Sequence, residues 1–225
     1  MNPADTGIRT YVLRTGRMTE AQKLAIGELG PSFVLPFNPG RRIDYATLFG
    51  DGRPVIAEIG FGMGQATWRI ARDNPSIGYL GIEVHTPGVG KLLLEMQEHD
   101  VRNIRIVHHD AVEVFERMIA PASLAGIHIF YPDPWPKKRH HKRRLIREGL
   151  VELLSSRLQG GGYLYFVTDI EEYADWSLEL LSRTPGLRNR YAGFAPRQEW
   201  RPETKFEARA NRDGRRAWEL VFERG

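Results

Sequence analysis

The sequence contains no cysteine, which removes disulfide frameworks, zinc-thiolate sites, iron-sulfur ligation and thiol nucleophiles together. It also lacks any apolar run near the roughly 20 residues that a membrane-spanning helix needs, and Met1 to Gln22 holds no signal-peptide core. A soluble, cytoplasmic protein is the expectation. No large charge of one sign is present either: Lys+Arg is 32 against Asp+Glu 28, a net of +4 over 225 residues, so the location of the basic residues matters more than their sum. Several catalytic signatures are missing. Gly88-Val89-Gly90-Lys91 is not a phosphate loop, because Leu92 stands at the Ser/Thr position and His85 at the first glycine. There is no Gly-x-Ser-x-Gly elbow and no His-Glu-x-x-His pair. The pairs His108-His109 and His140-His141 are adjacent in sequence, so their rings diverge in a strand and do not superpose on a helix. No metal is expected.

What is present is an alternation of two patterns. Apolar, β-branched runs at 55–59, 79–84, 104–107, 127–131 and 163–168 read as strands, and helical patterns follow at 65–73, 88–99, 111–118, 142–158 and 171–182. Asn74-Pro75, Pro87 and Gly160-Gly161-Gly162 punctuate them. Strand then helix, repeated, predicts an α/β fold with a mostly parallel sheet covered on both faces. Runs at 187–194 and 217–222, joined by a long Arg-rich connection, predict a C-terminal antiparallel strand pair. Residues 1–50 read as an N-terminal extension whose one helix opens on a Thr19-x-x-Gln22 capping box. With six basic and four acidic residues, that extension is compatible with an RNA arm, a lid or a disordered tail. Residues 51–225 form the domain proper.

In open α/β sheets ligands sit beyond the carboxyl ends of the strands. Here those ends carry acids: Glu58 before Gly60-Phe61-Gly62-Met63-Gly64, then Glu83, Asp110, Asp133 and Asp169. A single such acid is readily a solvated or capping residue; five in five strands are harder to explain that way. The Gly-x-Gly-x-Gly spacing puts Gln65 where a dinucleotide fingerprint has its third glycine, and a pyrophosphate would meet Glu58 unfavourably. S-adenosylmethionine carries no phosphate and a net positive charge, so these acids suit it. Glu83 fits a ribose diol and Asp110 an adenine amino group.

The stretch Tyr131-Pro132-Asp133-Pro134-Trp135-Pro136 alternates prolines that forbid helix and strand pairing, giving a stiff loop at the same sheet edge. It runs into seven Lys/Arg with no acid between Lys137 and Arg147. A solvated face normally mixes signs, so phosphate binding is the better account, with solubility as the bland one. Trp135 suits either stacking on an extruded base or packing against the sheet.

Together these segments resemble the bacterial tRNA (guanine-N7-)-methyltransferase family: Glu-Ile-Gly-Phe-Gly-Met-Gly at 58–64, Gly-Ile-Glu-Val-His at 81–85, His-Asp-Ala at 109–111, Pro-Asp-Pro-Trp at 132–135, the basic run, and Thr-Lys-Phe-Glu at 204–207. The match spans about residues 55–224. The resemblance implies a Rossmann-like class I methyltransferase fold and S-adenosylmethionine contacts at Glu58, Gly60, Gly62, Gly64, Glu83, Asp110 and Asp133, with Asp133 also catalytic. It further implies substrate contacts at Lys137, Asp169, Thr204, Lys205, Phe206 and Glu207, and RNA contacts at Arg139, His140, His141, Lys142, Arg143 and Arg144. The implied reaction is methylation of guanine N7 at position 46 in the tRNA variable loop, by a monomer or homodimer. For Glu207 an ion pair with Arg209 or Arg212 is the alternative, and Phe206 also reads as an apolar anchor. Three other activities compete. An adenine-amine methyltransferase is disfavoured because Trp135 replaces the second proline of its signature. A non-catalytic RNA-binding domain is disfavoured by the intact carboxylates, and a nicotinamide dehydrogenase by Gln65 and the acids.

Overall fold

The structure is a computed structural model that describes residues 9–11, 16–204, 207–208, 212, 214 and 216–225. The chain opens with α1 (Glu20–Phe33), whose Thr19 and Gln22 form the predicted capping box, and passes directly into a short strand β1 (Val34–Leu35). After α2 (Tyr45–Phe49) come β2 (Val55–Ile59), α3 (Gln65–Asp73), β3 (Gly78–Ile82), α4 (Thr86–Glu98), β4 (Ile104–Val107), α5 (Ala111–Arg117) and β5 (Leu124–Phe130). A 3-10 segment (Lys138–Arg143) precedes α6 (Leu150–Arg157), β6 (Leu158–Thr168), α7 (Glu171–Arg183), β7 (Leu187–Asn189) and β8 (Trp218–Arg224).

The eight strands form one sheet in the order β1-β4-β3-β2-β5-β6-β8-β7. Pairings from β1 through β6 are parallel, and β8 runs antiparallel to both β6 and β7. The chain leaves β2 to one side for β3 and β4, then returns to β2's other edge with β5. That reversal opens a crevice between the carboxyl ends of β2 and β5, the place such sheets bind ligands. Strand side chains alternate between two cores. Ala57, Ile82, Ile127, Leu164 and Phe222 point toward α5, α6 and α7, while Ile56, Tyr79, Ile104 and Ile106 point toward α1, α3 and α4. The outer part of the second face, Tyr165, Val167 and Val221, is packed by Tyr131, Tyr163, Tyr191 and Ala195.

Part of the expected extension contributes to the sheet: β1 pairs with β4 through Val34↔Ile106 and Leu35↔Val107, and Gln22 of α1 donates to the Pro87 carbonyl at 3.1 Å. The helix expected over 142–158 starts at Leu150, because Gly149 takes a φ of +73° and breaks the spiral. Among the described residues no helix is long and apolar enough to cross a membrane.

Candidate active site

β2 ends at Ile59 and the chain turns sharply through Gly60, Gly62 and Gly64, at φ of 73°, 57° and 72°. A side chain at Gly60 or Gly62 would meet nothing within 4 Å, so the loop faces open space. Its other side is crowded: a Cβ on Gly88, in the first turn of α4, would lie 2.0 Å from the Gly62 carbonyl oxygen. The loop and α4 therefore touch backbone to backbone. Glu83 braces the same turn. One carboxylate oxygen accepts from Gly62 N at 2.7 Å, and the other from Val84 N at 2.7 Å and His85 N at 2.9 Å.

Glu58 lies beneath this loop, 4% exposed. Burial pushes its carboxyl up to about 7; the Thr67 hydroxyl opposes the shift and the neighbouring Glu83 adds to it. Asp110 caps α5, accepting from Val112 N at 2.7 Å. The Tyr11 hydroxyl faces Asp110, and both burial and that carboxylate raise the phenol's pKa. The carboxylates of Glu58, Glu83 and Asp110 thus lie at the carboxyl edge of three adjacent parallel strands, with Tyr11 against Asp110.

The proline loop closes the β5 side. Tyr131 continues the ladder by donating its N–H to Val167 O at 2.8 Å. Tyr131 and Trp135 take φ values of 51° and 44°, a conformation that non-glycine residues adopt only when their surroundings impose it. Arg144 supplies part of that imposition. Fully buried, it donates to Pro134 O at 3.0 Å, forms a bidentate pair with Glu172 of α7, and lies over the Tyr173 and Trp176 rings at 4.8 and 5.2 Å. Arg144 is therefore not available to RNA; its guanidinium fastens the Asp133 loop to α7. Its neighbours behave differently: Lys137, Arg139, Lys142 and Arg143 are exposed, and His140 and His141 half-buried. Trp135 is half-buried, with Arg143 over its ring at 4.9 Å and its indole N–H donating to Thr10 O at 3.2 Å. Burial and four flanking cations hold the His140 pKa below its usual range.

A family model described as "Putative methyltransferase" matches residues 52–220. A tRNA (guanine-N(7)-)-methyltransferase from Thiobacillus denitrificans is 52% identical over 217 residues, covering 96% of this chain and 95% of the relative. One of the same name from Paraburkholderia xenovorans is 54% identical over 215 residues, covering 96% and 82%. The chain belongs to the tRNA (guanine-N(7)-)-methyltransferase family. Solved structures share the fold at low identity. The 16S rRNA methyltransferase KamB matches with a TM-score of 0.60 at 13% identity, covering 80% of this chain and 92% of that one. The aminoglycoside resistance methyltransferase NpmB1 matches with a TM-score of 0.53 at 14% identity, covering 97% and 98%. The expected class I methyltransferase architecture is thus the observed one.

Of the remaining residues of the family motifs, Asp169 follows β6, and Thr204 and Glu207 lie in the connection between β7 and β8. Asp169 is half-buried at the end of β6, between Thr168 and α7. Thr204 accepts the Glu207 N–H on its hydroxyl at 3.1 Å. Lys205 and Phe206 lie outside the described residues. Glu207 is ion-paired, with Arg201 at 2.6 Å and with Arg197 at 3.6 Å; of the two alternative partners raised by the sequence, Arg209 lies outside the described residues. Sequence reading missed Arg201, which is 1% exposed, and Glu219, which is 2% exposed. The available signal was Glu219 inside the apolar Trp218–Phe222 run: a carboxylate on a buried strand needs a cation close by.

Proposed function

We infer that this protein transfers a methyl group from S-adenosylmethionine to N7 of guanine at position 46 in the variable loop of tRNA, a reaction that belongs in the cytoplasm. The observation that carries the reading is the set of carboxylates Glu58, Glu83, Asp110 and Asp133 at the ends of four adjacent parallel strands, around a glycine loop with open space above it. Those residues fit the cofactor. Glu58 and Glu83 are buried carboxylates side by side, a donor set that favours a cationic group. Space over Gly60 and Gly62 would take its amino-acid portion, Glu83 would accept from the ribose diol and Asp110 from the adenine amine. The relatives' names and the match of a 16S rRNA methyltransferase solved with cosubstrate SAM support the same reading.

When bound, S-adenosylmethionine supplies a methyl on a positive sulfur, and in-line transfer to N7 moves that charge onto the purine. Guanine N7 has a lone pair in the ring plane and no proton, so no general base is required and positioning dominates. Asp133, on a loop stiffened by three prolines and fastened by Arg144, accepts from the N–H edge of guanine and stabilises the developing charge. Asp169 and Thr204 hold the base from the β6 and β8 side, while Glu207, expected in sequence to join them, has both oxygens taken by Arg201 and holds the loop instead; Lys137 with the exposed 3-10 segment holds tRNA phosphates.

Incubation with radiolabelled S-adenosylmethionine and unmodified tRNA, followed by borohydride and aniline, tests the assignment. Cleavage in the variable loop supports it. Label without cleavage would mean another base or atom, and S-adenosylmethionine binding without any label would mean another substrate.

A further inference from the structure

The described residues of the connection between β7 and β8 gather around one guanidinium. Arg201 donates to both oxygens of Glu207 at 2.6 and 2.7 Å, to Glu219 Oε1 of β8 at 2.8 Å, and to the Tyr165 hydroxyl of β6 at 3.0 Å. Tyr165 in turn donates to Glu219, whose carboxylate also accepts Gln198 N at 3.1 Å. Arg197 closes the turn by donating to the Arg201 carbonyl at 2.8 Å. All four central groups, Arg201, Glu207, Glu219 and Tyr165, are at most 3% exposed. Two carboxylates and the oxygen of one phenol therefore share a single buried cation, with Arg197 at 3.6 Å as a second, half-exposed partner of Glu207.

The same guanidinium touches both sides of the site. It lies 5.9 Å from the Tyr131 ring, two residues before Asp133 in the strained proline loop. Through Glu207, whose N–H is held by Thr204, it reaches the loop that carries the family's Thr-Lys-Phe-Glu segment. Next to it, Trp200 stacks on His128 of β5 with centroids 5.3 Å apart and meets Tyr165 edge-on. A cation of this kind fixes the distance between two loops that sequence places some 70 residues apart.

We propose that Arg201 is a positioning residue for methyl transfer: by clasping Glu207 and Glu219 at once, it pins the Thr204 loop to the outer strands and sets it against the Asp133 loop. The proposal rests on the reading of Asp133 and Thr204 as groups that hold the target base. Arg201 contacts neither substrate nor cofactor in it. Only a planar guanidinium serves two carboxylates and a phenol from fixed directions, so lysine is an incomplete substitute.

Steady-state kinetics on variable-loop methylation test it, together with calorimetric S-adenosylmethionine binding, for Arg201→Lys, Arg201→Met, Glu207→Gln and the double variant Arg201→Met/Glu207→Gln. We expect kcat to fall about 100-fold in Arg201→Met, the scale of a misplacement near 1 Å, and about 10-fold in Arg201→Lys. Cofactor affinity and KM for tRNA stay within about threefold, and the double variant is no worse than the poorer single, as for residues acting as a unit. Activity in Arg201→Met within threefold of wild type, loss of cofactor affinity in step with kcat, or effects that multiply would each overturn the proposal. If Arg201→Met is insoluble, Arg201→Lys and Glu219→Gln are judged by the same criteria. Failure of wild type itself to methylate tRNA would sink the functional assignment, and limited proteolysis then decides the clasp. Faster cutting between β7 and β8 in Arg201→Lys supports it, and equal rates overturn it.

Discussion

Glu58 joins a structural property to a functional one. Its carboxyl, flanked by Thr67 of α3 and by Glu83 and Tyr79 of β3, is held at about 7 against an ordinary 4.5. Between those two values the unfolded chain ionises this group while the folded chain keeps its proton, so stability falls as pH rises through the window and levels off above it. The gap corresponds to about 3 kcal/mol. Thermal melts of cofactor-free protein should show Glu58→Gln at least as stable as wild type at pH 8, with a flatter profile between pH 4.5 and 7. The cofactor's positive charge should draw the proton off, so wild-type affinity rises with pH up to about 7. Calorimetry at pH 6 in buffers of different ionisation enthalpy should show release of about one proton in wild type and none in Glu58→Gln; equal release would place the titrating group elsewhere. Glu58, Glu83, Asp110 and Asp133 are legible in sequence because a strand end fixes which residue meets the crevice. Arg144 and Arg201 are not. Arg144 sits in a run of exposed cations and is distinguished only by Glu172, Tyr173 and Trp176, 28 to 32 residues further along.

At the scale of elements, the strands and helices from β2 to α5 and β5 follow from periodicity with end shifts of a few residues, whereas β1 and α2 carry no such signal and β6 runs from Leu158 through the Gly160–Gly162 triplet that reads as a break. The basic segment does not follow from periodicity either. From Lys142 its sequence reads as the start of a long helix, yet Lys138–Arg143 form a 3-10 turn that presents Lys138, Arg139, Lys142 and Arg143 outward and stops before buried Arg144. Lys142, Arg143, Arg144 and Arg147 in one continuous helix would repel within its first turns, and Gly149 ends the register. Two kinds of substitution should therefore separate. Replacing Arg139, Lys142 and Arg143 with Ala should raise KM for tRNA and lower the slope of log affinity against log salt by about 0.7 to 0.9 for each phosphate no longer neutralised, with Tm unchanged. Arg144→Met should instead cost about 1 to 3 kcal/mol in urea unfolding, because it frees the Pro134 carbonyl and uncovers two aromatic faces. A salt slope altered by Arg144→Met without loss of stability would return that residue to the RNA surface. The close approach of α4 to the glycine loop makes another test. Gly88→Ala sets a Cβ 2.0 Å from the Gly62 carbonyl, backbone that has no rotamer to change. The loop must shift, and cofactor affinity should fall more than about tenfold in calorimetry, since about 1.4 kcal/mol suffices for that.

For the whole molecule, the question is whether the first 50 residues are an appendage. Sequence offers no motif there beyond the capping box, so the boundary at residue 50 follows from composition alone. In the fold that segment covers an edge and a face. β1 pairs with β4, and α1 lies so close to α4 that a Cβ on Gly90 would be 2.8 Å from Gln22. Ala25 is buried with Ile26, Leu29 and Phe33 packed beside it, Arg42 donates to the carbonyls of Glu116 and Ile119 at 2.8 Å, and Phe37 stacks on His109 at 3.7 Å. Removing residues 1–50 would strip those apolar groups from the faces of α4 and β4 that they cover and leave β4 as an open edge, which favours aggregation. At roughly 1 to 1.5 kcal/mol for each partly buried apolar side chain, the loss is about 5 kcal/mol. In a chain of this size that lowers Tm by about 10 to 20 °C. Removing only residues 1–15 spares α1 and β1 and should leave Tm within a few degrees, while taking away the Thr10 carbonyl that Trp135 engages. Scanning calorimetry of the two truncations beside the full chain decides the matter. If the 51–225 fragment melts at the temperature of the intact protein, the boundary at residue 50 is a true domain limit and α1 and β1 contribute nothing to the core they touch.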